Sequence, residues 1–239
     1  MLREIHEIVR EPKSLQAFVE WLPELAPHER YYLSLQVRRK YFPELKSKDR
    51  TQLRRFLATK QDMISKINQL ECPLGSYLTE EGDILPTSGM ALYITLNPRD
   101  MRKAVVSSAK ALIDLIAKED SNPHSEVMSQ IHKAKSRTTF VHFDIDKPTG
   151  TEADAHSPKN ATPISDLLLE AEKIVGRKAM TIIETRGGCH LMVDPKKVVS
   201  EYKNWHGEIV KKIPCDQTGD LMVPVVGCTQ GGFVPRFVL

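Results

Sequence analysis

No run of about 18 apolar residues occurs anywhere in this 239-residue chain, which argues against a membrane-spanning helix. Cysteine is sparse. The four present, at 72, 189, 215 and 228, include no C-x-x-C pair, so a structural zinc site or a disulfide framework is not expected. The opening "MLREIHEIVREPK" is too polar for a signal peptide. Internal repeats and low-complexity tracts are also missing. These absences lead to the expectation of a reduced, cytoplasmic protein with no membrane partner. With 41% hydrophobic and 27% charged residues, the composition is that of a globular chain with a real core.

A net charge of +3 conceals a local asymmetry. Residues 34–60, "SLQVRRKYFPELKSKDRTQLRRFLATK", carry nine Lys or Arg against Glu44 and Asp49 alone. The rest of the chain is slightly acidic. A basic block beside an acidic remainder is the charge pattern of a phosphate-backbone binder, and it is equally the pattern of a solvated helical face.

The hydrophobic pattern changes near residue 85. Before it, "LQAFVEWLPEL", "RYYLSLQVRRKYF" and "TQLRRFLATKQDMISKINQL" place apolar residues at helical spacing, which predicts a helical region over 1–85. "TEEGDILPTSG" (79–89) reads as a connector. After it, "MALYITL" (90–96) predicts a strand, and a helix follows that Asn97 would cap, with Pro98 at its first position. The same start signal recurs at Thr162–Pro163 and at Asp194–Pro195.

From residue 138 the predicted order is strand (138–146), helix (163–175), strand (180–185), strand (189–194), helix (195–212) and strand (220–226). This β-α-β-β-α-β order predicts an α+β, RRM-like core over 86–239, with helices on one face of the sheet and the other face open. In "TTFVHFDID" (138–146), alternation sends Val141, Phe143 and Ile145 to one face and Asp144 and Asp146 to the other, open one. Carboxylates about 7 Å apart on one strand repel by about 2–2.5 kcal/mol at an effective dielectric near 20. That cost points to a compensating cation.

"ETRGGCHLMVD" (184–194) predicts a Gly187–Gly188 hairpin turn whose amides, with Arg186, suit phosphate. His190 begins the returning strand. In "IPCDQTGDLMVPVVGCTQGGFVPRFVL", Asp216 or Asp220 is a candidate for a third carboxylate. Three carboxylates on an open sheet suit a pair of Mg²⁺ or Mn²⁺ ions, which prefer oxygen ligands.

Taken in order, "FVHFDID", "TRGGCH" and a later aspartate followed by "VVGCTQGGF" resemble the three motifs of the archaeo-eukaryotic primase superfamily. "LYITLNPRDMRKA" resembles the start of the catalytic domain in its primase-polymerases, so the resemblance covers roughly 90–239. It implies template-directed nucleotidyl transfer, as DNA primase, polymerase or both, on an RRM-like fold. Asp144 and Asp146 would hold two metal ions, with Asp216 the better match than Asp220 for the third ligand. His190 would contact the triphosphate of the incoming nucleotide, supported by Arg186, Gly187 and Gly188. The implied partners are nucleoside triphosphates and a single-stranded or primed template, with any helicase or other replication protein a separate chain. Outside the resemblance, Arg38, Arg39, Arg54 and Arg55 are candidates for template binding. Two alternatives have their own signatures. A non-catalytic RRM-like nucleic-acid binder would show a Lys/Arg-Gly-Phe/Tyr type strand motif, which is missing. Another two-metal palm enzyme such as a nucleotide cyclase would show a Gly-Gly-acid-acid-Phe turn, where this chain has "RGGCH".

Overall fold

The computed structural model describes residues 4–44, 50–79, 82–116, 122–146, 163–215 and 217–238. Among them are six α-helices and two antiparallel sheets, an α+β architecture. The chain forms two compact units, Met1–Thr139 with Met222–Pro235, and Phe140–Leu221 with Arg236–Leu239. The expected boundary near residue 85 therefore falls inside the first unit. Pairing is the reason: β1 (Glu29–Arg38) lies antiparallel to β3 (Met90–Thr95), with Leu33 opposite Ile94 and Val37 opposite Met90. Both sides of the connector share one sheet.

The expected helical N-terminal region is corrected in the same way. Residues 29–38 form β1 and residues 50–58 form β2 (Arg50–Ala58), paired antiparallel with a register shift between Leu35 and Gln36. Tyr31, Leu33, Leu35 and Val37 alternate with Tyr32, Ser34, Gln36 and Arg38, which is the strand period. Both sets are buried, so polar groups on the second face need partners. Gln36 Nε2 donates to Ser34 Oγ at 3.1 Å, and Arg38 Nη1 donates to the Tyr93 hydroxyl at 3.0 Å. Helices do form at α1 (Pro12–Trp21) and α2 (Met63–Asn68), which supply Leu15, Phe18, Met63 and Ile67 to the buried set.

A two-residue strand, β4 (Arg99–Asp100), precedes α3 (Met101–Leu115). Asp100 caps α3, its Oδ1 accepting from Arg102 N at 2.8 Å and Lys103 N at 3.1 Å. Asn97, expected in that role, instead accepts from Thr139 N at 2.7 Å. Helix α4 (Pro123–Lys133) is capped by Asn122, and α3 and α4 bury Ala104, Met128 and Ile131 with Tyr32.

In the second unit the chain runs β5 (Val141–Asp146), α5 (Ile164–Val175), β6 (Met180–Glu184), β7 (Gly188–Val193), α6 (Trp205–Lys212) and β8 (Gln217–Gly219). With β10 (Arg236–Val238), the order across the sheet is β10-β6-β7-β5-β8. Phe143, Ile145, Leu191 and Val193 pack into one core with Ala171 and Ile174 of α5. The expected Thr162 cap lies outside the described residues. Helix α5 does end at Gly176, whose φ of 81° a side chain would resist.

Two boundaries are corrected. The helix expected from 195 begins at Trp205, where Asn204 Oδ1 accepts from Gly207 N at 3.1 Å. Asp194 instead accepts from Lys196 N at 3.0 Å in a turn, and Val198 and Tyr202 reach the core from the intervening loop. The strand expected at 220–226 does not join the second sheet. Its β9 (Met222–Pro224) pairs with β3 in the first unit, Thr95 opposite Met222, and Val225 N donates to Leu92 O at 2.9 Å. No helix among the described residues is long and apolar enough to cross a membrane.

Candidate functional site

The pleat of β5 does what its sequence pattern demands. Phe143 and Ile145 enter the helix-covered core, and His142, Asp144 and Asp146 fall on the opposite face. On that face Asp144 stands opposite His190 of β7 and opposite position 217 of β8, while Asp146 stands opposite Gly188. His190 in turn faces Ile183 of β6, so one row runs across four strands: 217, Asp144, His190, Ile183. His190 Nδ1 lies 3.7 Å from Asp144 Oδ1, adjacent but too long for a hydrogen bond. The His190 side chain is 8% exposed and that of Asp144 is 27% exposed; Asp146 is exposed at the strand end.

The expectation of a uniformly open face is corrected by the same geometry. His142 and Met192, opposite each other, are fully buried, as is Ile183. Met192 and Ile183 are apolar on the face that was to meet solvent, and strands apolar on both faces are buried on both. Solvent reaches the Asp144–Asp146 end of this face.

Gly188 is held by backbone on two sides. A Cβ there would lie 2.0 Å from Ile145 O and 2.8 Å from Asp146 Cα, so only glycine lets β7 approach β5 at this row. Its N–H donates to Thr185 Oγ1 at 3.1 Å, and its carbonyl accepts from Thr185 N at 3.0 Å. The Gly188 amide is thus committed to the turn, not aimed at a phosphate as the sequence suggested. Arg186 is exposed in that turn, with Gly187 half-buried behind it.

Of the third-carboxylate candidates, Asp216 lies outside the described residues. Asp220 is set apart by register. It follows Gly219, which pairs with His142, so it sits toward the Val141 end of β5, about 10 Å along the strand from Asp144. Among the described residues no group of three or more His, Cys, Asp or Glu is arranged to hold a metal. The donor set at the solvent-reachable strand end is two carboxylates and an imidazole. Carboxylate oxygens suit hard divalent ions of the Mg²⁺ or Mn²⁺ type.

The four basic candidates do not form one surface. Arg38 is buried against Tyr93. Arg55 is half-buried and donates to Ser125 O at 3.4 Å, whereas Arg54 sits over the Tyr77 ring on the other face of β2. Arg39 is exposed just past the end of β1. On the expectation of template binding, neutralising Arg39 and Arg54 would therefore flatten the salt dependence of any single-stranded DNA binding by about 0.7 for each phosphate no longer neutralised. Arg38→Ala is expected instead to lower the melting temperature, because it removes a buried donor to the Tyr93 hydroxyl. Salt titrations and thermal melts of the two variants measure this.

Two participants escaped the sequence reading. Thr185 holds the Gly188 amide, and the Thr-Arg-Gly-Gly spacing of a side-chain oxygen three residues before a turn amide was the available signal. His142 shares the face of Asp144 two residues upstream, which strand alternation alone implies. Comparison of the chain with protein families, with curated proteins and with solved structures gave no match.

Proposed function

We propose that this chain is a template-directed nucleotidyltransferase of primase-polymerase type that works with divalent metal ions. The observation that carries the reading is one register: Asp144 opposite His190, and Asp146 opposite Gly188. Two motifs distant in sequence, the Asp-x-Asp strand end and the Arg-Gly-Gly-Cys-His turn, occupy adjacent rows of one sheet. The chain order β5-α5-β6-β7-α6-β8 with sheet order β6-β7-β5-β8 supports an RRM-like arrangement in which the two central strands carry the motifs.

In this reading Asp144 and Asp146 hold Mg²⁺ or Mn²⁺, with Asp216 as the third ligand. Such ions, when bound, lower the pKa of an attacking 3′-hydroxyl and stabilise charge in the in-line displacement. The chain's own groups bind and orient the nucleotide. His190 donates to a triphosphate oxygen from beside Asp144, and Arg186 meets the phosphates as a planar fork from the exposed turn. Gly187 leaves room beside them, and Gly188 acts by its smallness, keeping β7 against β5 so that His190 and Asp144 stay in one row. Nucleic-acid template and nucleoside triphosphates are the proposed partners, and Arg39 and Arg54 the proposed template contacts.

The test is a labelled nucleotide incubated with the protein alone, with a template and with a primed template. Incorporation only in the presence of template is expected. A cyclised product without template, or binding without any product, overturns the reading.

A further expectation concerns His190. His190→Ala should raise the apparent Kd of a nucleoside triphosphate about ten- to a hundredfold, the loss of one charge-assisted hydrogen bond. Mn²⁺ affinity should change little. Calorimetry of both ligands decides, with His190→Gln preserving side-chain volume at this buried position. Collapse of Mn²⁺ affinity with nucleotide affinity intact would make His190 a metal ligand instead.

A further inference from the structure

Helix α3 is apolar on two sides. Its Ala104 and Ser108 side is buried, with Ala104 packed beside Tyr32, Met128 and Ile131. A second stripe carries Val105, Val106, Ile113 and Ile116, which are 65%, 73%, 67% and 86% exposed. Positions 106, 109, 113 and 116 follow the i, i+3, i+7, i+10 spacing of a coiled-coil seam, with Val106 and Ile113 at a, Ala109 and Ile116 at d. The buried Ala104 and Ser108 occupy the f and c positions, the side away from that seam. Four largely exposed β-branched residues weaken a helix slightly, and none of the four is buried among the described residues. Contiguous exposed apolar surface of this kind marks an interaction site.

Charge selects among occupants. Arg102, Lys103 and Lys110 outnumber the one acid of this helix, Asp114, and Lys110 falls at an e position beside the seam, as does Lys103, whose Nζ donates to Lys135 O at 3.4 Å. A second copy packed antiparallel would set lysine against lysine. A helix with acidic flanks would pair with Lys110 and bring a second acid beside Lys103.

We propose that the Val106–Ile116 stripe of α3 is a docking surface for an amphipathic helix of a protein partner, apolar along its seam and acidic on its flanks. The proposal is independent of the nucleotidyltransferase reading.

The probe is a fluorescein-labelled three-heptad peptide with Leu at a and d and Glu at e and g, whose like charges oppose its self-pairing. Anisotropy titration with the full chain is expected to show saturable binding. Ile113→Ser and, separately, Lys110→Glu should each weaken it about tenfold or more, with far-ultraviolet circular dichroism unchanged because both side chains are exposed. Absence of binding overturns the proposal. So does equal binding of the same peptide with Lys at e and g. A dimer in sedimentation velocity that Ile113→Ser dissociates would assign the stripe to a second copy and likewise overturn it.

Discussion

Asp144→Asn and Asp146→Asn are each expected to abolish the proposed nucleotide incorporation, by about a thousandfold or more, and to leave the second unit folded. The expected loss follows from the proposed metal role: several kcal/mol of transition-state stabilisation would disappear with a ligand, and each 1.36 kcal/mol is about tenfold in rate. Stability is spared because the core is anchored by Phe143 and Ile145 on the other face, while Asp146 is exposed and Asp144 partly so. Without metal, removing one of two like charges about 7 Å apart relieves roughly 2 kcal/mol of repulsion. Thermal melts in chelator should show equal or higher melting temperatures for both variants. Added Mn²⁺ should then raise the wild type more than either variant. Wild-type incorporation by either variant would remove these aspartates from the chemistry.

The second large effect comes from a residue with no side chain. Gly188→Ala is expected to destabilise the second unit by about 3 kcal/mol or more. The new Cβ would meet Ile145 O at 2.0 Å and Asp146 Cα at 2.8 Å, both backbone, so no rotamer can relieve it. β7 must part from β5 at that row, which opens the Asp146–Gly188 and Ile145–Cys189 pairings next to His190. Amide hydrogen exchange should therefore quicken in β5 and β7 first. Thr185→Ser, which keeps the hydroxyl that holds the Gly188 amide, should melt close to the wild type. An unperturbed melt for Gly188→Ala would show that the two strands are not held this closely.

The second unit is legible where β5 alternates apolar and polar residues and where turn residues bound the short apolar runs of β6 and β7. Phe143 and Ile145 alternate with Asp144 and Asp146, and "ISDLLLEAEKIV" closes on a glycine with positive φ, so β5, α5, β6 and β7 were read close to their observed bounds. β1 departs from the expectation because its second buried face mixes an aromatic with polar and charged residues. Tyr32 beside Tyr31 and Leu33 blurs the period of two, and Arg38 and Gln36 resemble a solvent side although they pair internally with Tyr93 and Ser34. The fate of Met222–Pro224 could not be read locally, since its partner is β3, far back in the chain. At the candidate site, alternation alone placed Asp144 and Asp146 together. That His190 would stand opposite Asp144 needed the register, and the register is set by how closely Gly188 lets two strands approach.

The most direct measurement is single-nucleotide extension of one primer on four templates that differ only in the first templating base, with Mg²⁺ or Mn²⁺ present. The added base is expected to follow the template in all four cases, and Asp144→Asn to add none. The same base added on every template, or no addition by folded wild-type protein with either ion, would contradict it.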